Sequence, residues 1–194
     1  CPSNRAACPA SIDNNLPGSE LSIGTDTALN VIVEAMDKIK ESGIASRRCF
    51  VVETMGRDCG YLALMSGIAA GAERIYTNEH NYTTDFIARL LEEESHGMYD
   101  VRQVVLGHMQ QGGSPSPFDR LLANRLGYRA LNLIDDELAA HQDGSWFIGV
   151  NESGMRPCSM DTMPSLIDAA HRRPREQWWL QLRTIARMVS GEVR

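Results

Sequence analysis

Hydrophobic positions along this chain switch repeatedly between helical spacing and short continuous runs. From Thr25 onward, Ala28, Val31, Ile32, Ala35 and Ile39 recur at helical spacing with Glu34, Asp37 and Lys40 between them. This predicts a helix that Thr25 or Asp26 caps and Gly43 ends. Cys49-Phe50-Val51-Val52 then reads as a buried strand. Tyr61 to Ala70 reads as an apolar helix in which Gly67 and Gly71 signal close packing or termination. Arg74 to Thr77 is a candidate strand, and Thr83 or Thr84 opens a helix carrying Phe86, Ile87, Leu90 and Leu91 that Gly97 closes. A strand follows around Val101 and runs to Leu106. The longest helical pattern extends from Phe118 to Leu138, with Leu121, Leu122, Leu126, Ala130, Leu133 and Ile134 on its apolar face. Trp146 to Val150 predicts a strand and turn, and Trp178, Trp179, Leu182, Ile185 and Met188 a final helix. Helices and strands in alternation predict an α/β fold around a mainly parallel sheet.

Composition narrows the class of protein without naming a chemistry. With 194 residues at 43% hydrophobic content, the chain can bury a core as one domain or two small lobes. A net charge of −6 with mixed signs offers no broad cationic surface to nucleic acid or anionic lipid, so anion binding falls to local arginines. Five cysteines, at Cys1, Cys8, Cys49, Cys59 and Cys158, form no Cys-x-x-Cys pair and have no zinc-like histidine spacing. Free thiols in a reducing compartment and no metal site are the expectation. No apolar run approaches the roughly 20 residues of a bilayer span, and the expected location is the cytoplasm.

Three segments carry candidate chemistry. In Gly107-His-Met-Gln-Gln-Gly-Gly-Ser-Pro-Ser-Pro-Phe-Asp-Arg120, polar side chains and paired glycines follow a strand, and Pro115 or Pro117 suits a first helical turn. Strand, glycine turn and helix N-terminus together suit an oxyanion such as phosphate, or form an ordinary strand-to-helix connection. In Glu53-Thr-Met-Gly-Arg-Asp-Cys-Gly-Tyr61, Gly56 lets a ligand approach the backbone, Arg57 offers a planar fork to oxygens and Met55 a surface for the carbon face of a sugar. Arg48 and Arg102 stand just before two strands, where they either project beyond the protomer edge toward a phosphate across an interface or serve as ordinary surface charges. The third segment, Pro9 to Glu20, is a polar loop in which Asp13 can take or orient a hydroxyl proton. There Ser11, Asn14 and Asn15 can hold neighbouring oxygens, although Asp-Asn-Asn is also a common turn. His171 to Arg175 is a basic run that either closes over an anion or forms a solvated face.

In this order, and together with Asn81-Tyr-Thr-Thr-Asp-Phe86 and Glu176-Gln-Trp-Trp179, these segments resemble the phosphofructokinases, and more narrowly the C-terminal half of the tandem, eukaryotic-type 6-phosphofructokinases. The likeness runs from about Pro9 to Met188. It implies a phosphofructokinase-like three-layer α/β fold with a mainly parallel sheet, made incomplete by absence of the N-terminal nucleotide-binding part. The implied reaction of the full enzyme is transfer of the γ-phosphoryl group of Mg-ATP to the 1-hydroxyl of fructose 6-phosphate in glycolysis. By the same resemblance, Asp13 matches the catalytic base, with Asn15 replacing a second acid. Met55, Gly56 and Arg57 match the sugar-binding Met-Gly-Arg, and Arg48 and Arg102 match arginines lent to a neighbour's phosphate site. His108, Met109 and Gln110 belong to the same binding turn.

Gln111 stands where the catalytic pattern has arginine, and a neutral amide cannot replace that cation. The Gln-Gln form resembles the regulatory halves, whose duplicated site takes fructose 2,6-bisphosphate, and Arg172 matches a phosphate contact of that effector site. Asp13 and Arg57, by contrast, are catalytic-like. No glycine-rich nucleotide loop or Gly-Gly-Asp-Gly segment occurs, so no Mg-ATP is expected to bind this chain alone. The resemblance also implies a helix and strand missing between residues 80 and 81, which leaves Glu79 without an assigned sugar contact. Partners implied are the sugar phosphate or bisphosphate, an N-terminal half and further subunits in a tetramer-like oligomer. Three readings stay open: an effector-binding regulatory half, a catalytic sugar-binding part that needs a partner for ATP, and a structural oligomerisation lobe with a degenerate pocket.

Overall fold

The computed structural model describes residues 4–141 and 143–189. Along the chain it contains β1 (Arg5–Ala7), α1 (Thr25–Ser46), β2 (Arg48–Glu53), α2 (Tyr61–Ala69), α3 (Thr84–Ser95), β3 (Asp100–Val105) and α4 (Pro117–Ala139). Next come β4 (Ser145–Asn151), β5 (Gly154–Ser159), the short α5 (Met163–Leu166), β6 (Ile167–Asp168), β7 (Arg173–Pro174) and α6 (Arg183–Val189). Tight 3-10 turns lie at Asn78–His80, Gly107–Gln111, Met160–Thr162 and Trp178–Leu182. The chain divides into two compact units: Cys1–Thr27 with Ser114–Trp178, and Ala28–Gly113 with Trp179–Arg194.

The first unit is built on a sheet ordered β1-β4-β5, with β1 parallel and β5 antiparallel to β4. Leu122, Leu126 and Leu133 of α4 bury one helical face together with Ile148 of β4, and Ala6, Cys8 and Ile23 pack around them. Each fully buried leucine contributes roughly 1.5–3 kcal/mol. Leu121, expected on that face, is 64% exposed, because one residue along a helix turns the side chain about 100° away. Strand β5 was not legible in the sequence, since Met155-Arg-Pro-Cys158 does not alternate and contains a proline. Pro157 is tolerated because β5 is the sheet's edge strand.

The N-terminus of α1 is capped from a distance. Thr25 is already helical, and its hydroxyl donates to the Ser11 carbonyl at 3.1 Å. The capping acceptor is Asp119, which takes the Gly24 and Thr27 amides at 2.9 and 2.8 Å and the Thr27 hydroxyl at 2.6 Å. Asp119 sits in the first turn of α4, which starts with Pro117 at its first position behind Ser116, whose hydroxyl oxygen accepts the Asp119 amide at 3.1 Å. One carboxylate therefore neutralises two helix N-termini.

In the second unit, β2 and β3 pair in parallel, with Arg48 opposite Asp100 and Glu53 opposite Val105. Trp179 is buried edge-on against Tyr61 of α2, ring centroids 6.0 Å apart. Four expectations need correction. Helix α1 runs through Gly43 to Ser46, because there the glycine lets the helix approach the Phe50 ring and the Arg48 carbonyl. Arg74 to Thr77 forms no strand, and the last helix begins at Arg183 after a 3-10 turn. The run Cys49 to Val52 forms its strand but is only half-buried.

Among the described residues, Cys8, Cys49, Cys59 and Cys158 form no disulfide, and Cys1 lies outside them. Burial raises the pKa of Cys8, Cys49 and Cys158 above the ordinary thiol value. Those three thiols are therefore poor nucleophiles at neutral pH, and slow alkylation in the folded chain that accelerates in urea is the expected outcome of a timed labelling experiment. No described helix is long and apolar enough to cross a membrane.

Candidate functional site

Parallel strands end together, and the second unit gathers its candidate residues at that end. Chain leaving β2 passes into Met55-Gly56-Arg57, and chain leaving β3 enters the turn Gly107–Gln111. Ligands in α/β folds sit beyond the carboxyl ends of parallel strands. Gly56 has φ +148°, and a Cβ there would stand 2.5 Å from the Cys59 carbonyl oxygen, so a side chain is excluded. Arg57 follows in the left-handed region at φ +52°, with its side chain exposed. Strain at a non-glycine residue is kept where a function or tight packing over-determines it.

Gln110, expected to contact ligand, is 1% exposed and serves the protein instead. Its amide oxygen accepts the Met55 backbone N–H at 3.2 Å, and its amide nitrogen donates to the Gly107 carbonyl at 3.0 Å. The side chain thus ties the two loops to each other. His108, Met109 and Gln111 of the same turn remain exposed. Gly112 donates to the Met109 carbonyl at 3.2 Å, which tightens the turn instead of presenting that N–H outward. The anion expected at the following helix is supplied internally by Asp119.

Arg48 and Arg102 lie toward the other end of the strands. Arg48 opens β2 and Glu53 closes it, five steps of about 3.3 Å, so Arg48 stands roughly 16 Å from the end of the strand that leads to Met55. Arg102 is inside β3, not before it, opposite Phe50, and its guanidinium reaches Asp100 at 3.3 Å in an exposed pair. Within this unit, then, the structure brings Met55, Gly56, Arg57 and His108 to Gln111 together and leaves Arg48 and Arg102 apart.

Sequence reasoning assigned nothing to Glu79, Gly60 and Arg183, which form a buttress beside the Arg57 loop. The Glu79 carboxylate accepts the Gly60 N–H at 3.1 Å and faces Arg183 Nη2 at 3.6 Å, and Arg183 also donates to Thr77 Oγ1 at 2.8 Å. Asn78 donates to the Arg57 carbonyl at 3.3 Å and to Asp58 at 2.9 Å. A Cβ at Gly60 would lie 2.4 Å from Thr77 Cβ and 2.5 Å from Glu79 Oε2. Gly60→Ala is expected to cost about 1–3 kcal/mol by overpacking, read as a lower urea midpoint.

In the first unit the polar loop and the basic run meet. Ser11 Oγ donates to Asn15 Oδ1 at 3.1 Å, and Asn15 Nδ2 donates to the Arg172 carbonyl at 3.1 Å. Arg172 is exposed, with φ +51°. Asn14 is structural: it donates to the Glu20 carbonyl at 2.8 Å and accepts the Ser22 amide at 2.9 Å, pinning the loop. Asp13, between these residues, is 7% exposed. Beside Arg172, the His171 imidazole at 2.7 Å from Asp168 lowers that carboxyl's pKa. Among the described residues, no group of three or more His, Cys, Asp and Glu is placed to hold a metal ion.

Comparison with known proteins identifies the family. The family model described as Phosphofructokinase matches residues 3–93 and 81–134. The muscle-type ATP-dependent 6-phosphofructokinase of Mus musculus is 40% identical over 228 residues, which cover 94% of this chain and 29% of that enzyme. Among solved structures, phosphofructokinase from Saccharomyces cerevisiae superposes with a TM-score of 0.86 at 29% identity, covering 95% of this chain and 31% of its own. The T-state phosphofructokinase of Pichia pastoris gives 0.86 at 27% identity, covering 97% and 27%. The chain spans less than a third of the length of each of these relatives. With its α/β architecture and its match to the family model over most of its length, the chain belongs to the phosphofructokinase family.

Proposed function

We propose that this chain provides a fructose-phosphate pocket of a cytoplasmic, glycolytic 6-phosphofructokinase, and that the pocket takes the effector fructose 2,6-bisphosphate. The observation that carries this reading is the Gln110 tie between the Met55-Gly56-Arg57 loop and the His108 turn at the carboxyl ends of β2 and β3. Met55 packs against the sugar carbons, Gly56 admits the ligand to the backbone, and Arg57 presents two parallel N–H donors to a phosphate. His108, Met109 and Gln111 complete the rim. The neutral amide of Gln111 can hydrogen-bond a bound phosphate but gives less charge stabilisation to a phosphoryl group in transfer, which favours binding over turnover.

Arg48 and Arg102, remote from Arg57 on the same strands, serve the pocket of a neighbouring subunit in this reading. Calorimetry with fructose 2,6-bisphosphate should give weaker binding to monomeric than to oligomeric chain, and Arg57→Ala should weaken the oligomer's affinity at least tenfold, about 1.4 kcal/mol. Equal, tight binding by a proven monomer contradicts the shared pocket.

A second reading rests on Asp13, a carboxylate buried in a loop that Asn14 pins at both ends. A base held in this way can accept the proton of a sugar 1-hydroxyl as it attacks a phosphoryl group. A coupled ATP-dependent assay of the chain, alone and with an N-terminal half supplied separately, separates the two readings. The effector reading predicts no turnover that depends on Asp13. Turnover removed by Asp13→Asn would establish the catalytic one.

A further inference from the structure

Strand β2 has β3 on one edge and no described strand on the other. A cavity of about 1150 Å³ runs along the whole strand from Arg48 to Glu53 and on to the Met55-Gly56-Arg57 loop, walled by Met36 and Ile39 of α1, Ile75, and Ile87 and Leu91 of α3. The cavity lies within one unit. A strand with apolar side chains on both faces is expected at the centre of a sheet, yet Phe50, Val51 and Val52 stay half-buried. At the rim, Tyr82 stacks on Phe86 with ring centroids 5.4 Å apart, Tyr76 meets Tyr82 edge-on at 6.0 Å, and half of Tyr82 and Phe86 is exposed.

The comparisons show that relatives carry sequence that this chain lacks. The match to the mouse enzyme extends over 228 residues, more than the 194 of the whole chain, so the relative carries residues that have no counterpart here. The family model matches in two stretches, 3–93 and 81–134, that overlap at 81–93, the segment holding Tyr82, Thr84, Ile87 and Leu91 at the cavity wall. That overlap falls on the segment that borders the uncovered strand.

We propose that this unit is a strand acceptor: the second edge of β2 takes up in extended form, from another polypeptide, apolar sequence out of the stretch that its relatives have and this chain lacks. Six residues in extended form span about 16 Å, the length of β2, and alternate side chains would fill the space beside α1 and α3. Main-chain hydrogen bonds to the β2 edge supply affinity, and the apolar walls supply register.

The test uses the intact 194-residue chain and a synthetic peptide copied from the mouse muscle-type enzyme between its counterparts of Asn78 and Thr84. Hydrogen exchange read by mass spectrometry should show amides of residues 48–53 slowed at least tenfold at saturating peptide. A peptide of scrambled sequence, or one with prolines at alternate strand positions, should not slow them, because proline donates no hydrogen bond. Absence of slowing, or equal slowing by the proline-bearing or scrambled peptide, overturns the proposal. Protection of the same amides without peptide, in a chain that sediments as a dimer, overturns it in favour of pairing between two copies.

Discussion

Gly149→Ala is expected to be the most damaging single-methyl addition in the first unit, lowering its stability by about 3–5 kcal/mol. A Cβ at Gly149 would stand 1.6 Å from the Gly18 carbonyl oxygen and 2.7 Å from its carbon. Here the obstacle is backbone, which cannot rotate aside as a side chain does. Nor can the loop retreat easily, since Glu20 donates to the Val150 carbonyl at 2.7 Å and Val150 donates to Ser19 Oγ at 2.9 Å. Each such bond contributes about 1 kcal/mol, and both would have to yield. The loop continues into the Asn14 to Glu20 hydrogen bond, so the disturbance would reach the Asp13 segment. Urea denaturation measures the loss, with Gly127→Ala as control. That exposed helical glycine meets nothing within 4 Å, and alanine there should leave stability unchanged or raise it by up to about 1 kcal/mol. Equal midpoints for wild type and Gly149→Ala would contradict the packing described.

Asp119→Ala is expected to cost about 3 kcal/mol or more. Buried to 2% exposure, the carboxylate accepts three hydrogen bonds, from the Gly24 and Thr27 amides and the Thr27 hydroxyl. Hydrogen bonds to a charged group contribute about 1.5–3 kcal/mol each, and removing their common acceptor leaves donors buried without it. The hydroxyl of Thr27 also accepts the Ser116 amide at 2.9 Å, so the start of α4 loosens with the start of α1. Asp119→Asn keeps the shape but turns one acceptor into a donor that faces donors. It should fall between wild type and alanine in thermal midpoint. An alanine variant that melts with wild type would show that Asp119 is not the cap of α1.

The helices α1 to α4 were legible because their apolar residues recur at helical spacing and their ends carry ordinary signals. Thr83 accepting the Phe86 amide is one such signal, and Pro117 at the first position of α4 is another. What escaped the sequence depends on distant partners. Asp119 reads as a polar residue in a helix, and only the folded chain brings Gly24 and Thr27 to it. Gln110 sits in a turn rich in candidate ligand contacts, and nothing local reveals that its amide closes on Met55 and Gly107. Strand β5 lacks alternation because an edge strand tolerates Pro157. Arg74 to Thr77 has strand-like composition but no described strand beside it. Of the candidate residues, the sequence placed the Met55-Gly56-Arg57 and Gly107 to Gln111 segments directly behind strands, where they follow β2 and β3, but it did not foresee that Asn15 donates to the Arg172 carbonyl. It did not distinguish residues that face outward, such as Arg57 and His108, from those that hold the loops, such as Asn14 and Gln110. Spacing alone carries no record of side-chain direction within a turn.

Isothermal titration of oligomeric chain with fructose 2,6-bisphosphate, repeated on Arg57→Ala and on Arg125→Ala from the exposed side of α4, addresses the proposed pocket most directly. The account predicts one saturable site per chain, weakened at least tenfold by Arg57→Ala and unchanged by Arg125→Ala. Binding indifferent to Arg57, or no heat from wild-type oligomer at millimolar bisphosphate, would contradict it.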